Sequence, residues 1–145
     1  MENDWKYIET QEDIDELMET YHYFHDSAIM SMTYVDMAHS DENGTATYCP
    51  GNNRILVIVF NSCWEPHKIE LKFAGVRQIR MNGYEEYDFI YGAYLKFHDN
   101  VEGRNSKKVI VWADDEDFEL NKVRKALIDT ESYVIADQMK WRIMK

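Results

Sequence analysis

Cysteine, proline and glycine are scarce in this chain, which has two, two and six of them among its 145 residues. Two cysteines, Cys49 and Cys63, are too few for a disulfide framework. Neither belongs to a Cys-x-x-Cys pair that would indicate a zinc ribbon or a thioredoxin-type site. So little proline and glycine excludes a collagen-like or low-complexity chain. We expect two free thiols in a globular domain that needs no disulfide or metal to fold.

Long apolar segments are also missing. The longest apolar run, from Ile55 to Phe60, is far shorter than the roughly 20 residues of a membrane-spanning helix. The chain begins Met-Glu-Asn-Asp-Trp, which is acidic where a signal peptide is basic and then apolar. These two features predict a cytoplasmic protein without a membrane span, and the acidic composition disfavours binding to an anionic membrane surface.

The length limits the architecture. A chain of 145 residues fits one domain, which we place over residues 1–145. A domain of this size buries roughly 70% of the surface that its unfolded chain exposes, so hydrophobic burial can hold it together. Aromatic residues make up 14% of the chain, and such bulky rings suit a core built on a β-sheet.

Acidic residues outnumber basic ones, 27 to 16, which gives a net charge of −11. The excess lies at one end, because residues 1–26 contain nine acidic residues and one lysine, a net charge of −8. Nucleic acid is not an expected ligand, since proteins bind it by neutralising phosphates with lysine and arginine. A basic protein is the partner that this charge distribution favours.

The N-terminal segment has the pattern of one amphipathic helix over residues 11–22. Thr10 is a suitable N-cap, and acidic residues follow it in the first turn, where they favour the positive end of the helix dipole. An apolar stripe recurs at helical spacing and consists of Ile14, Leu17, Met18 and Tyr21. The acidic helix face consists of Glu12, Asp15, Glu16 and Glu19. Such a face is either a plain solvated surface or a docking surface for a basic protein.

After the helix, the hydrophobic period changes to the alternation of β-strands. Strand-like segments cover residues 27–36, 46–49, 54–61, 69–81, 93–97, 107–114 and 133–144. Most connections between them are short, which favours antiparallel neighbours. The predicted fold is α+β but mainly β: a predominantly antiparallel curved sheet or sandwich with one N-terminal amphipathic helix.

The same pattern makes several local predictions. One face of the first long strand is expected to carry Ala28, Met30, Met32 and Tyr34. Ala74-Gly75 indicates a bulge, Asn82-Gly83 a tight turn, and residues 121–129 a short helix. The alternation also predicts three large core residues, namely Phe73, Trp112 and Trp141.

The tripeptide Phe-His-Asp occurs twice, at Phe24-His25-Asp26 and at Phe97-His98-Asp99. Histidine and carboxylate side chains are metal ligands, and His22 lies three residues before His25. If the two His-Asp pairs meet, they would form the site of a metal-dependent hydrolase. In the simpler interpretation, His25 and Asp26 hold the passage from helix to strand by hydrogen bonding. A third interpretation gives them, together with Tyr23, a role in binding a partner.

No sequence pattern for catalysis accompanies these pairs. No serine lies in Gly-x-Ser-x-Gly, and no glycine-rich loop for phosphate is present. Asp114 to Asp117 is dense in carboxylates but lacks the glycine and the distal glutamate of an EF-hand loop, so a solvated turn is the better interpretation. We therefore predict no catalytic residue, no bound metal and no cofactor.

Several segments resemble a family of uncharacterised bacterial proteins of similar length. They are Phe24-His25-Asp26-Ser27, Ile69 to Val76, Ile110 to Asp115, Tyr133 to Asp137 and Lys140-Trp141-Arg142. The resemblance covers nearly the whole chain and implies no known activity. The Phe-His-Asp start and the later step from a hydrophobic strand to Phe-Ala-Gly-Val are also similar to small immunity proteins of bacterial polymorphic toxin systems. Those proteins are acidic and non-enzymatic, and they neutralise a toxin by binding it.

The hypothesis from the sequence is a non-enzymatic, immunity-like protein-binding domain that docks a basic partner. Its predicted binding residues are Glu12, Asp15, Glu16, Glu19, Tyr23, His25 and Asp26. The alternative hypothesis is the metal-dependent hydrolase that uses the pairs His25/Asp26 and His98/Asp99.

Overall fold

The computed structural model describes residues 4–36, 38–47, 54–82, 89–99, 108–121 and 132–145. Strand β1 (Lys6–Tyr7) precedes helix α1 (Gln11–Thr20), and a short 3-10 turn (His22–Phe24) follows the helix. The remaining strands are β2 (Ser27–Val35), β3 (His39–Ser40), β4 (Ala46–Thr47), β5 (Ile55–Ser62), β6 (Lys68–Arg80), β7 (Tyr94–His98), β8 (Val109–Ala113) and β9 (Tyr133–Met144). Within these ranges, no helix has the length and apolar character needed to cross a membrane.

Seven strands form one antiparallel sheet in the order β2-β5-β6-β9-β8-β7, with β1 beside β9. One edge of β9 has two neighbours, because β8 pairs with its first part and β1 pairs with Lys140 and Trp141. The sheet is not closed, although one bridge joins Ser27 at the start of β2 to Ile90, which precedes β7. Strands β3 and β4 form a separate hairpin. The predicted fold, a mainly antiparallel sheet with an N-terminal helix, is confirmed.

The main core lies on one face of this sheet. The apolar stripe of α1 belongs to the same buried cluster as alternate residues of β5 and β6, because strand side chains point alternately to opposite faces. At the centre, the rings of Phe24, Phe60 and Trp112 contact one another, with centroids 5.0 to 5.9 Å apart. Trp112, Phe73 and Trp141 are all buried, so the three predicted core residues are confirmed.

The opposite face of the sheet is covered at one end. A second buried cluster there consists of Val109, Val111, Ala113, Phe118, Leu120, Tyr133 and Ile135. Farther along β5, β6 and β9, the side chains of this face are half-buried or exposed. We call this region the outer face. It includes Ile55 and Val57 of β5, Lys68, Glu70, Lys72 and Ala74 of β6, and Gln138, Lys140 and Arg142 of β9.

Strand β2 departs from the predicted side-chain pattern. A bulge between Ile29 and Ser31 shifts its register against β5. Met32 and Tyr34 therefore stand opposite buried residues of β5, whereas Ala28 stands opposite the half-buried Asn61 on the other face. The expectation that Ala28 shares a face with Met32 and Tyr34 is wrong, because the extra residue of a bulge reverses the alternation.

The bulge predicted at Ala74-Gly75 lies slightly later in β6, because Ala74 and Val76 keep their register with Gln138 and Ala136. The register between β6 and β9 shifts between Val76 and Gln78, and Gly75 has a φ of +68°. Three other predictions lie wholly or largely outside the described residues: the thiol of Cys49, the tight turn at Asn82-Gly83, and the helix over residues 121–129.

Candidate functional site

The acidic helix begins with a capping box. The Asp13 backbone N–H donates to Thr10 Oγ1 at 3.2 Å, and Asp13 Oδ2 accepts from the backbone N–H groups of Glu9 and Thr10 at 2.9 Å each. These backbone hydrogen bonds, the one from Glu9 first, lower the pKa of Asp13 because they favour the ionised carboxylate. Local residues therefore determine where α1 begins, and the prediction of Thr10 as the N-cap is confirmed.

All four carboxylates of the acidic helix face are exposed. Glu16 forms an ion pair with Lys6 at 2.7 Å, and Asp15 accepts from Gln11 Nε2 at 3.0 Å. Within the described part of the chain, neither the Glu12 nor the Glu19 carboxylate has a hydrogen bond or an ion pair. A carboxylate in the last turn lies near the negative end of the helix dipole, so Glu19 is not placed to stabilise the helix.

An unusual backbone turn follows α1 directly. His22, Tyr23 and Phe24 have φ values of 52°, 56° and 64°, and Asp26 has 62°. Non-glycine residues in this left-handed region cost roughly 1–2 kcal/mol each, so the surrounding structure must hold them. Phe24 is buried in the aromatic core.

Hydrogen bonds at both ends of the segment complete this support. Ser27 Oγ donates to the Phe24 carbonyl at 2.6 Å, and the Ala93 N–H donates to the Tyr23 carbonyl at 2.9 Å. The helix ends at Thr20, two residues before its predicted end. His22 and His25 therefore do not lie on one face of a helix. Tyr21 caps the helix, and the buried packing of Phe24 forces the chain into the turn.

The turn presents a group of rings at the surface. Tyr23 is 54% exposed, and Trp64, in the connection between β5 and β6, is 50% exposed. Trp64 Nε1 donates to Asp26 Oδ2 at 3.1 Å, and His25 Nδ1 lies 3.0 Å from the same oxygen. We call Tyr23, His25, Asp26 and Trp64 the aromatic turn. Asp26 orients the Trp64 ring by accepting its N–H.

His22 and Tyr21 join the turn to the connection after β5. His22 Nε2 forms a hydrogen bond with the Glu65 carbonyl at 2.9 Å, and its ring lies 6.1 Å from that of Trp64. Tyr21 Oη donates to the His67 carbonyl at 3.0 Å. Burial of the Tyr21 ring raises the pKa of its hydroxyl well above the ordinary value. These two contacts come from His22 and Tyr21, whereas the side chains of His25 and Asp26, which were predicted to hold the helix-to-strand passage, contact each other and Trp64.

Sequence reasoning missed Trp64. This tryptophan lies in a short polar connection, Ser62-Cys63-Trp64-Glu65-Pro66. No alternating pattern there predicts a buried ring, so an exposed tryptophan could have been inferred. Its contact with Asp26 joins residues 38 positions apart, and local periodicity does not specify such a contact.

The two His-Asp pairs do not meet. The turn around His25 bonds to Ile90 and Ala93, which precede β7, whereas His98 lies at the far end of β7 opposite Val109. His98 Nε2 forms a hydrogen bond with Tyr94 Oη at 2.6 Å. Over the described ranges, no three His, Cys, Asp or Glu side chains are grouped so that they could hold a metal ion.

The acidic stretch after β8 forms a turn. Asp114 Oδ1 accepts from the Ser132 N–H, and Asp115 Oδ1 accepts from the Asp117 N–H, each at 2.9 Å. These carboxylates complete backbone hydrogen bonding where β8 ends, which agrees with the interpretation of the stretch as a turn.

No protein family, curated protein or solved structure matches this chain. The acidic helix face and the aromatic turn are consecutive in the chain, since one ends at Glu19 and the other begins at Tyr23. Together they contain all seven predicted binding residues and add Trp64.

Proposed function

We propose that this chain is a non-enzymatic domain that binds a basic protein through the acidic helix face and the aromatic turn. One observation carries the proposal. A left-handed backbone holds the exposed ring of Tyr23 directly after a helix with an acidic face, and a hydrogen bond to Asp26 holds the exposed ring of Trp64 at the same turn.

Exposed tyrosine and tryptophan are the anchors that protein interfaces favour most. They bury a large area, and few of their bonds rotate, so they lose little conformational freedom on binding. Trp64 is already oriented by Asp26, which removes part of the roughly 0.5–1.5 kcal/mol that ordering a mobile side chain costs. The backbone strain at Tyr23 fits a surface that is rigid before its partner arrives.

The negative charge of the helix next to these anchors favours a partner with a positively charged surface. Glu12 and Glu19 have no cation to neutralise them among the described residues, and the first 26 residues carry a net charge of −8. Carboxylates of one sign on a rigid helix attract a cationic surface over a distance and align it during encounter. The partner is therefore a protein with a lysine- or arginine-rich surface and a pocket for an aromatic ring.

The similarity to immunity proteins suggests one class of partner of this kind. A basic toxin domain would be held by the acidic helix face and capped by the aromatic turn. This assignment depends on the proposed binding surface and adds the biological class of the ligand.

The electrostatic part can be tested with a variant that keeps the shape of the helix. Glu12→Gln, Asp15→Asn, Glu16→Gln and Glu19→Gln together remove four charges but leave the buried stripe of α1 untouched. A control variant removes four exposed carboxylates outside the N-terminal segment: Glu42→Gln, Asp99→Asn, Glu116→Gln and Asp117→Asn. The partner is first cross-linked and identified, and association is then followed at about 0.05 M and about 0.5 M salt.

The helix variant should associate about tenfold more slowly than the unmodified chain at low salt, and the difference should shrink at high salt because exposed charges are screened. The control variant should remain close to the unmodified chain. An association rate that responds to neither salt nor the four helix substitutions would refute a role for the acidic helix face.

The aromatic part affects dissociation instead. Trp64→Ala removes an anchor of the kind that costs about 2 kcal/mol or more, so the complex should dissociate about 30-fold faster. Tyr34→Ala is the control, since Tyr34 is also a half-exposed ring, at 44%, and lies near the end of β2 that is far from the aromatic turn. Equal dissociation rates for the two variants would contradict the assignment of the anchor.

A further inference from the structure

The outer face of the sheet carries a pair of like charges at its centre. Lys72 of β6 and Lys140 of β9 are direct cross-strand partners. Like charges in this position repel each other and destabilise a sheet. The next pair on the same two strands follows the ordinary pattern, because Arg142 Nε donates to Glu70 Oε1 at 2.7 Å. The lysine pair is therefore an exception to its own surroundings.

Carboxylates do not compensate this pair among the residues that the structure describes. The two ammonium groups instead face aromatic rings: Lys140 Nζ lies 5.0 Å from the centre of Trp5 and 5.2 Å from that of Tyr7, and Lys72 Nζ lies 6.0 Å from Trp5. Ring faces attract cations without neutralising them. Two positive charges thus remain available in a chain whose net charge is −11.

A hollow lies directly beside the two lysines. Two residues along β6 from Lys72, Ala74 pairs with Gln138 of β9 on one side and with Ile55 of β5 on the other. The small Ala74 side chain leaves space between its larger neighbours, and Tyr7 forms a wall. The resulting depression has a volume of about 260 Å³ and is lined by Tyr7, Ile55, Lys72, Ala74, Gln138, Met139 and Lys140.

We propose that this hollow binds a small organic anion, one that joins a carboxylate or phosphate group to an apolar or aromatic body. The two ammonium groups bracket the anionic group and relieve their mutual repulsion. Ile55 and Ala74 form an apolar floor, and Tyr7, which is 51% exposed, stacks on the body of the ligand. The volume is below the roughly 300–1,000 Å³ of drug-sized pockets, so the ligand is small.

This site is separate from the proposed protein-binding surface. Residues that alternate with Lys72 along β6, namely Leu71 and Phe73, are buried in the cluster that contains the α1 stripe. The lysine pair therefore faces away from α1. Ligand binding in the hollow and protein binding at the acidic helix face can succeed or fail independently.

The test uses phenyl phosphate as the probe and the ¹H–¹⁵N spectrum of the full chain as the readout. Saturable shifts should concentrate on the amides of Tyr7, Lys72, Ala74, Gln138 and Lys140. Phenyl phosphate should bind about tenfold more tightly than inorganic phosphate, because the hollow holds its ring. Shifts that are scattered over the chain, or absent at about 10 mM probe, overturn the proposal.

Two variants with equal loss of charge locate the binding energy. Lys72→Gln with Lys140→Gln should weaken phenyl phosphate binding at least about tenfold, since each lysine supplies a charge-assisted contact. Lys68→Gln with Lys96→Gln removes two exposed lysines outside the hollow and should change the affinity less than about twofold. Equal losses in the two variants would mean that net charge alone attracts the probe, and that result overturns the site. The shift map of the unmodified chain decides the question even where a variant fails to fold.

Discussion

Replacement of Gly75 by alanine tests a close approach between β6 and β9. Gly75 has a φ of +68°, and a Cβ atom there would lie 2.5 Å from Asp137 Oδ2 and 2.8 Å from Asp137 Cβ. Real Cβ atoms essentially never approach other atoms this closely. The carboxylate of Asp137 also accepts from Arg77 Nε at 2.7 Å, with both side chains about one-quarter exposed. Gly75→Ala therefore strains the backbone and displaces an ion pair.

The two effects add to a measurable loss of stability. An alanine in the left-handed region costs roughly 1 kcal/mol relative to glycine. Forcing extra volume into a packed site costs roughly 1–3 kcal/mol, which here includes the weakening of the partly exposed ion pair. We expect Gly75→Ala to lower the free energy of unfolding by about 2–4 kcal/mol, a large share of the stability of an ordinary domain.

Gly44 supplies a matched control. It has a φ of +81°, but a Cβ atom there meets nothing within 4 Å. Gly44→Ala should therefore lose only the conformational part, about 1 kcal/mol or less. Urea unfolding followed by tryptophan fluorescence gives both free energies. If Gly75→Ala costs no more than Gly44→Ala, the close approach of Asp137 to Gly75 does not contribute and the reasoning fails.

Three further predictions concern the core and its titrating groups. Trp141→Ala should lower the free energy of unfolding by about 3–5 kcal/mol in urea titrations. Ile143→Ala, on the same face but 44% exposed, should lower it by less than about 1 kcal/mol. Similar losses in the two variants would contradict the observed burial. Asp13→Ala should destabilise the chain at neutral pH. Because the pKa of Asp13 is lowered, this difference should shrink in thermal melts as the pH falls below 3.8 and vanish below the folded-state pKa; a constant difference would refute the capping role. Since burial raises the pKa of Tyr21, the unmodified chain should lose stability above pH 10 more steeply than Tyr21→Phe, and parallel alkaline melts would argue against its burial.

Much of the fold could be predicted from local patterns. The sequence predicts a helix over residues 11–22, and the observed helix runs from Gln11 to Thr20. The prediction succeeds because the N-cap and the apolar stripe depend only on neighbouring residues. The alternation of Ile69, Leu71 and Phe73 gave the buried face of β6 correctly. An extended strand repeats every two residues, so a short sequence specifies which side chains share a face as long as no residue is inserted.

The acidic helix face could also be predicted from the sequence. Of the aromatic turn, the residues next to the helix could be predicted, but Trp64 could not. Tyr23, His25 and Asp26 could be named as candidates because a histidine, a carboxylate and an aromatic residue lie together just after the predicted helix. Their geometry depends on burial of Phe24 among Phe60 and Trp112, which are distant in the chain. The same long-range packing places Trp64 against Asp26.

The sequence by itself determined the helix, its charge and the strand content, because each depends on residues a few positions apart. The tertiary structure decided which strands are neighbours and in which register, and with that the bulge of β2, the left-handed turn and the pairing of Lys72 with Lys140. Register is set by the sum of many contacts between distant segments, and a shift of one residue moves every side chain to the other face. No single segment contains that sum, so the contact of Trp64 with Asp26 and the hollow beside the lysine pair became visible only in the tertiary structure.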